Sequence, residues 1–147
     1  MIQHDEWDEP TNRLEKLEMA RVLVAEDDDA LRTMMAARLR NDGCEVIEAR
    51  TGDEAIDVIT QVWEGMGPLD GLDLLIMDVR MPGLSGIEIA HLLRSWQVWA
   101  PLLFVTAYPD PDLLAEVRQL RGRIIAKPFG LSRLSSAANE ALRTRFS

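Results

Sequence analysis

Five short, mostly apolar runs alternate with five stretches of helical periodicity, and this strict alternation constrains the fold more than any other feature of the chain. Val22–Ala25, Cys44–Ala49, Leu72–Met77, Leu102–Val105 and Arg123–Ala126 read as strands. Between and after them, apolar residues recur at helical spacing over 29–41, 51–63, 87–96, 110–120 and 131–145. Leu31, Met34, Met35 and Leu39 mark the first helix, and Ala55, Ile56, Val58, Ile59 and Val62 are the inward residues expected of the second. Gly43 stops the first helix, Thr51 caps the second, and Asp110 with Pro111 opens the fourth. Asp29 is a candidate cap for the first. Strands this apolar are covered on both faces, which predicts an α/β domain with a parallel sheet between two helix layers.

The apolar runs end in polar residues that a purely structural strand does not need. The first leads into Glu26 and Asp27, the third into Asp78, the fourth into Thr106 and the fifth into Lys127. In a parallel sheet these groups gather at the carboxyl edge, where open α/β sheets bind ligands. Three close carboxylates repel unless a proton or a cation intervenes. Hard oxygen ligands of this kind suit Mg2+, which keeps waters and recruits phosphate oxygens. With the cation in place, one carboxylate can attack phosphorus, while an ammonium and a hydroxyl receive the charge of the transferred group. Asp28 and Asp29 are read as solvated loop acids.

Composition supports the special status of Lys127. Of 16 basic residues only Lys16 and Lys127 are lysine, so arginine is used almost everywhere else. A compact ammonium on a flexible stem fits beside a phosphoryl group in a tight pocket, where a planar guanidinium does not. Pro128 makes the Lys127–Pro128 bond a candidate cis peptide.

The net charge of −9 argues against a nucleic-acid partner, which needs clustered Lys and Arg. No apolar stretch is long enough for membrane insertion, and no secretory signal is visible. The lone cysteine, Cys44, allows no internal disulfide and is expected to pack in the core, which fits a cytoplasmic setting. Trp96 and Trp99 are likewise read first as packing residues at a helix end, with an exposed docking patch as the sharper alternative. The 147 residues suit one folded domain over 20–147, preceded by an acidic, partly flexible extension over 1–19.

The motifs VLVAEDD, LLIMDVRMPGLSG, FVTA and AKPF, in that order, resemble those of response-regulator receiver domains in bacterial two-component signalling. The resemblance covers about residues 20–145. It implies a flavodoxin-like five-stranded parallel sheet of order 2-1-3-4-5 with five helices in a three-layer sandwich. By the same resemblance, Asp78 would be the phosphoacceptor. Glu26, Asp27, Asp78 and the backbone carbonyl of Arg80 would hold Mg2+. Thr106 and Lys127 would bind the phosphoryl group, and Thr106 would shift on activation. The phosphoryl group would come from a sensor histidine kinase or a histidine phosphotransfer protein. The signal would pass to a downstream protein target, with homodimerisation left open.

Two positions depart from the pattern. Ile124 stands where an aromatic switch residue is common, so the usual coupling to Thr106 is not expected in the same form. The chain between Asp27 and Asp78 is also longer than usual, with the excess expected in the loop at 65–71. Arg80 and Tyr108, each two residues past a site residue, are placed to shape water access to the phosphoryl group. The leading reading is a stand-alone receiver with no output domain, and no enzyme beyond self-phosphotransfer and autodephosphorylation. The alternatives are a phosphorylation-independent interaction module, a phosphorelay intermediary and an Asp-nucleophile phosphohydrolase. The last is disfavoured because Arg80 stands where such enzymes need an acid.

Overall fold

A computed structural model describes residues 19–66 and 71–144. The expectations placed on 1–18 and most of those on the loop at 65–71 lie outside the described residues. The elements alternate as the sequence predicts: β1 (Arg21–Ala25), α1 (Asp29–Asn41), β2 (Glu45–Ala49), α2 (Gly52–Met66), β3 (Leu74–Asp78), α3 (Gly86–Ser95), β4 (Leu102–Thr106), α4 (Pro111–Gln119), β5 (Arg123–Ala126) and α5 (Leu131–Thr144). All strand pairs are parallel, in the order β2-β1-β3-β4-β5.

Strand alternation distributes the apolar residues between two cores. Val22, Val24, Leu74, Ile76, Leu103 and Val105 face α1 and α5, where Met35, Leu39, Leu134 and Ala138 cover them. Leu23, Ala25, Leu75, Met77, Leu102 and Phe104 face α2, α3 and α4, where Ala55, Ile59, Ile89, Leu93 and Val117 cover them. Fully burying each large apolar side chain is worth about 1.5–3 kcal/mol, so the three-layer arrangement follows from strands apolar on both faces. Cys44 is buried, as expected. Burial, with Asp42 and Asp73 adding to it, pushes its thiol up to about 12, so it stays protonated.

Helix starts match the sequence at Thr51, which accepts from the Glu54 amide, and at Asp110, which accepts from the Leu113 amide. The cap of α1 is Asp28 rather than Asp29: the Asp28 side chain accepts from the Leu31 amide. This frees Asp29, one residue inside the helix, to pair with Arg32. A capping box at Ser85 and Glu88 opens α3.

The tryptophan expectation is corrected. Helix α3 ends at Ser95, and Gln97 turns out of it in the left-handed region (φ 61°). Trp96 and Trp99 are therefore 51% and 55% exposed rather than packed in a core. The guanidinium groups of Arg94 and Arg121 both lie over the Trp99 ring, at 4.8 and 5.1 Å from its centre. Met34 is exposed as well, although it keeps helical spacing.

Candidate active site at the carboxyl edge of the sheet

Because β1 and β3 are adjacent and parallel, their carboxyl ends place Glu26, Asp27 and Asp78 side by side. Each offers a carboxylate oxygen within 4.8 Å of the others. Glu26 is 0% exposed and Asp78 is buried, while Asp27 is open to solvent. The next strands bring Thr106, buried at the end of β4, and Lys127, one residue past β5. The Lys127 amide donates to the Thr106 carbonyl at 2.7 Å, which ties the two ends together. The Lys127–Pro128 peptide is cis.

Lys127 Nζ lies 2.8 Å from Asp78 Oδ2 and 2.9 Å from Glu26 Oε1. Burial alone would lower the Lys127 pKa, but Asp78 and Glu26 outweigh it and hold the pKa above its ordinary value. The ammonium is therefore charged at neutral pH. The other Asp78 oxygen, Oδ1, accepts from the Arg80 amide at 3.0 Å. Both carboxylate oxygens of Asp78 are thus oriented by fixed donors.

Glu26 is in a different position. Its Oε2 accepts from the Asp28 amide at 3.0 Å. Its Oε1 is close to the ammonium, yet off the direction a hydrogen bond requires, and stays a buried oxygen with an unused lone pair. Burial raises its pKa to about 7, with Asp78 adding and the Asp28 amide and Lys127 opposing. An unused buried oxygen among three carboxylates is the donor set a hard divalent cation takes, and a cation would offset the desolvation that holds the pKa up.

The remaining expected residues are nearby but differently engaged. Thr106 Oγ1 accepts from the Tyr108 amide at 3.1 Å. The Arg80 guanidinium stacks over the Tyr108 ring at 5.3 Å. Ile124 is partly buried against the core shared with α2, α3 and α4. Two contributors were missed in the sequence. Gly86 lies so close to β3 that a Cβ there would collide with the Asp78 carbonyl oxygen. Arg32 donates to the Glu26 carbonyl from α1. The glycine could have been suspected from the SG pair that opens α3, whereas nothing local marks Arg32.

The fold and this edge are those of an α/β domain that gathers three carboxylates, a hydroxyl and an ammonium at the carboxyl end of a parallel sheet. Residues 22–139 match the response regulator receiver domain family, and the chain belongs to it. It is 34% identical over 135 residues to the transcriptional regulatory protein PdtaR of Mycobacterium tuberculosis, covering 90% of this chain and 62% of that one. It is 33% identical over 125 residues to a cyclic di-GMP phosphodiesterase of Thermotoga maritima, covering 84% of this chain but 31% of the relative. Among solved structures, chemotaxis protein CheY4 of Vibrio cholerae superposes with a TM-score of 0.70 at 26% identity, over 84% of this chain and 98% of that one. The chain thus spans less than two thirds of the two curated relatives' length. Members of the family are generally signalling modules that interact with histidine kinases or phosphotransfer proteins and typically bind Mg2+ at an acidic cluster. Among the described residues, no helix is long and apolar enough to cross a membrane.

Proposed function

We propose that Asp78 accepts a phosphoryl group from a histidine kinase or histidine phosphotransfer protein, and that the phosphorylated domain acts on a protein partner. The observation that carries this reading is the Lys127 ammonium, held between Asp78 and Glu26 beside a third carboxylate. An oxygen of Asp78 attacks phosphorus, the phosphorus–nitrogen bond of the phosphohistidine breaks, and the departing imidazole takes a proton from solvent. Glu26, Asp27, Asp78 and the Arg80 carbonyl would hold Mg2+, which supplies positive charge to the phosphoryl oxygens. Lys127 neutralises charge on the same group, and the Thr106 hydroxyl donates to one of its oxygens. Thr106 now accepts from the Tyr108 amide, so engaging phosphate with its own proton leaves that bond intact. Ile124 cannot rotate between buried and exposed positions as a polar-tipped aromatic does, which leaves Thr106 as the residue that reports phosphorylation to the surface.

Phosphohydrolase chemistry is disfavoured, because the position two past the nucleophile is Arg80, whose guanidinium is stacked on Tyr108 and offers no carboxyl group to protonate a leaving group. The test is intact mass after incubation with a small phosphodonor, with and without Mg2+, beside Asp78→Asn. A Mg2+-dependent phosphoryl adduct that the variant lacks supports the reading. An adduct that persists in the variant, or the absence of any adduct in a protein that also fails to take up beryllofluoride, refutes it.

A further inference from the structure

Arg32 lies in the opening turns of α1 and is only 7% exposed. A buried guanidinium is costly unless its N–H groups meet acceptors. Nη1 donates to the Glu26 carbonyl at 3.0 Å, Nε donates to Glu48 Oε1 at 3.1 Å, and Nη2 lies 2.8 Å from Asp29 Oδ1. Burial alone would lower its pKa, but the Asp29 and Glu48 carboxylates outweigh burial and hold it above its ordinary value. Glu48 is fixed in turn, since its Oε2 accepts from Arg40 Nη1 at 3.1 Å while Arg40 Nη2 donates to the Val46 carbonyl at 3.0 Å. The Arg32 head group is therefore anchored to the helix start, to β2 and to the end of β1 at once.

The anchored atom on β1 matters. The Glu26 carbonyl belongs to the peptide that joins Glu26 to Asp27. On one side of that peptide the carboxylate is buried, and on the other it is exposed. The Glu26 amide is fixed as well, by donating to the Ala49 carbonyl at 3.0 Å. Holding the carbonyl sets the rotation of the one peptide plane that decides how the two side chains diverge. We propose that Arg32 is a positioning residue for the acid cluster, and that its hold on the Glu26 carbonyl sets Glu26 and Asp27 at the spacing that takes a divalent cation. This rests on the Mg2+ chemistry proposed above.

The sign of the effect separates positioning from simple electrostatics. Removing a positive charge near a cation site tightens binding by Coulomb attraction alone. Here that charge is already offset by Asp29 and Glu48, so the geometric loss dominates and binding weakens. Outer groups that orient ligands are worth roughly 10–100-fold in metal affinity.

The experiment titrates Mg2+ into the full chain by calorimetry, well below the unfolding temperature, for the wild type, Arg32→Met, Arg32→Lys and Arg40→Ala. Thermal melts and phosphorylation by a small phosphodonor accompany it. Arg32→Met is expected to weaken Mg2+ binding roughly tenfold, with the phosphorylation rate recovering at saturating Mg2+. Arg32→Lys, which keeps one donor for the carbonyl, should recover part of the affinity and covers the case in which Met does not fold. Arg40→Ala removes the outer clamp without touching the Glu26 carbonyl and should lower only the melting temperature. Tighter or unchanged Mg2+ binding in the Arg32 variants overturns the proposal, as does equal weakening by Arg40→Ala. A wild type that binds no Mg2+ overturns it together with the reading of the cluster, and so is distinguishable from a failure of Arg32 alone.

Discussion

Replacing Glu26 by Gln is expected to stabilise the metal-free protein above neutral pH. A carboxyl moved from 4.5 in the unfolded chain to about 7 in the folded one keeps its proton on folding across that interval. The folded state then binds more protons than the unfolded state, so the contribution to stability falls as pH rises through the window and stays low above it. A shift of this size corresponds to about 3 kcal/mol at 1.36 kcal/mol per pKa unit. Gln keeps an oxygen for the Asp28 amide, but its NH2 group brings a buried donor of its own, which costs about 1–3 kcal/mol if unmet. The net gain expected near pH 8 is about 1 kcal/mol, turning into a net loss of about 1 kcal/mol toward pH 5, where Glu26 is itself neutral and the cost of the NH2 group remains. Denaturant unfolding in a chelator at both pH values measures it. Excess Mg2+ should reverse the order, because it stabilises only the form that binds it, by RT ln(1 + [L]/Kd). A Gln variant that is less stable than wild type near pH 8, or whose offset is the same at both pH values, would refute the reasoning. An offset that does not change with pH would mean that Lys127 already compensates Glu26 fully.

Lys127→Met leaves Glu26 and Asp78 facing each other without their shared ammonium, and should slow phosphorylation from a small donor by roughly 100-fold or more while tightening Mg2+ binding, as kinetics and calorimetry would register. Gly86→Ala forces a Cβ against the Asp78 carbonyl and should destabilise the fold by about 1–3 kcal/mol in denaturant unfolding, with a matching loss of phosphorylation. Ser85→Ala removes one half of the capping box and should cost about 1 kcal/mol with no change in Mg2+ affinity.

What the sequence disclosed depended on how local the cause was. The three central strands were legible because both their faces are buried, and the site residues were legible because each stands at or just past the carboxyl end of a strand. The cap of α1 was misplaced by one residue because Asp28 and Asp29 are chemically equal; the difference lies in backbone geometry, with Asp28 extended at φ −77°, ψ 110°. Trp96 and Trp99 looked like core residues by hydrophobicity. Their exposure follows from where α3 stops and from the left-handed Gln97, for which no glycine gave a signal. Ser85 and Glu88 carried a readable capping-box spacing that went unused. Arg32 was not legible at all, since its burial depends on Glu48, 16 residues away on another strand.

The ammonium that balances the acid cluster is delivered by the last strand, which sits at the edge of the sheet and pairs only with β4. Its partner Asp78 is 49 residues away in sequence. A fragment ending before β5 keeps every carboxylate of the cluster and none of the counter-charge. Recombination of such a fragment with the remainder would therefore be driven by charge as well as by apolar contact, and a divalent cation would compete with the incoming lysine for the same oxygens. The edge strand serves as the electrostatic latch of the sheet, closing the domain by bringing positive charge to carboxylates set out from the first strand onward.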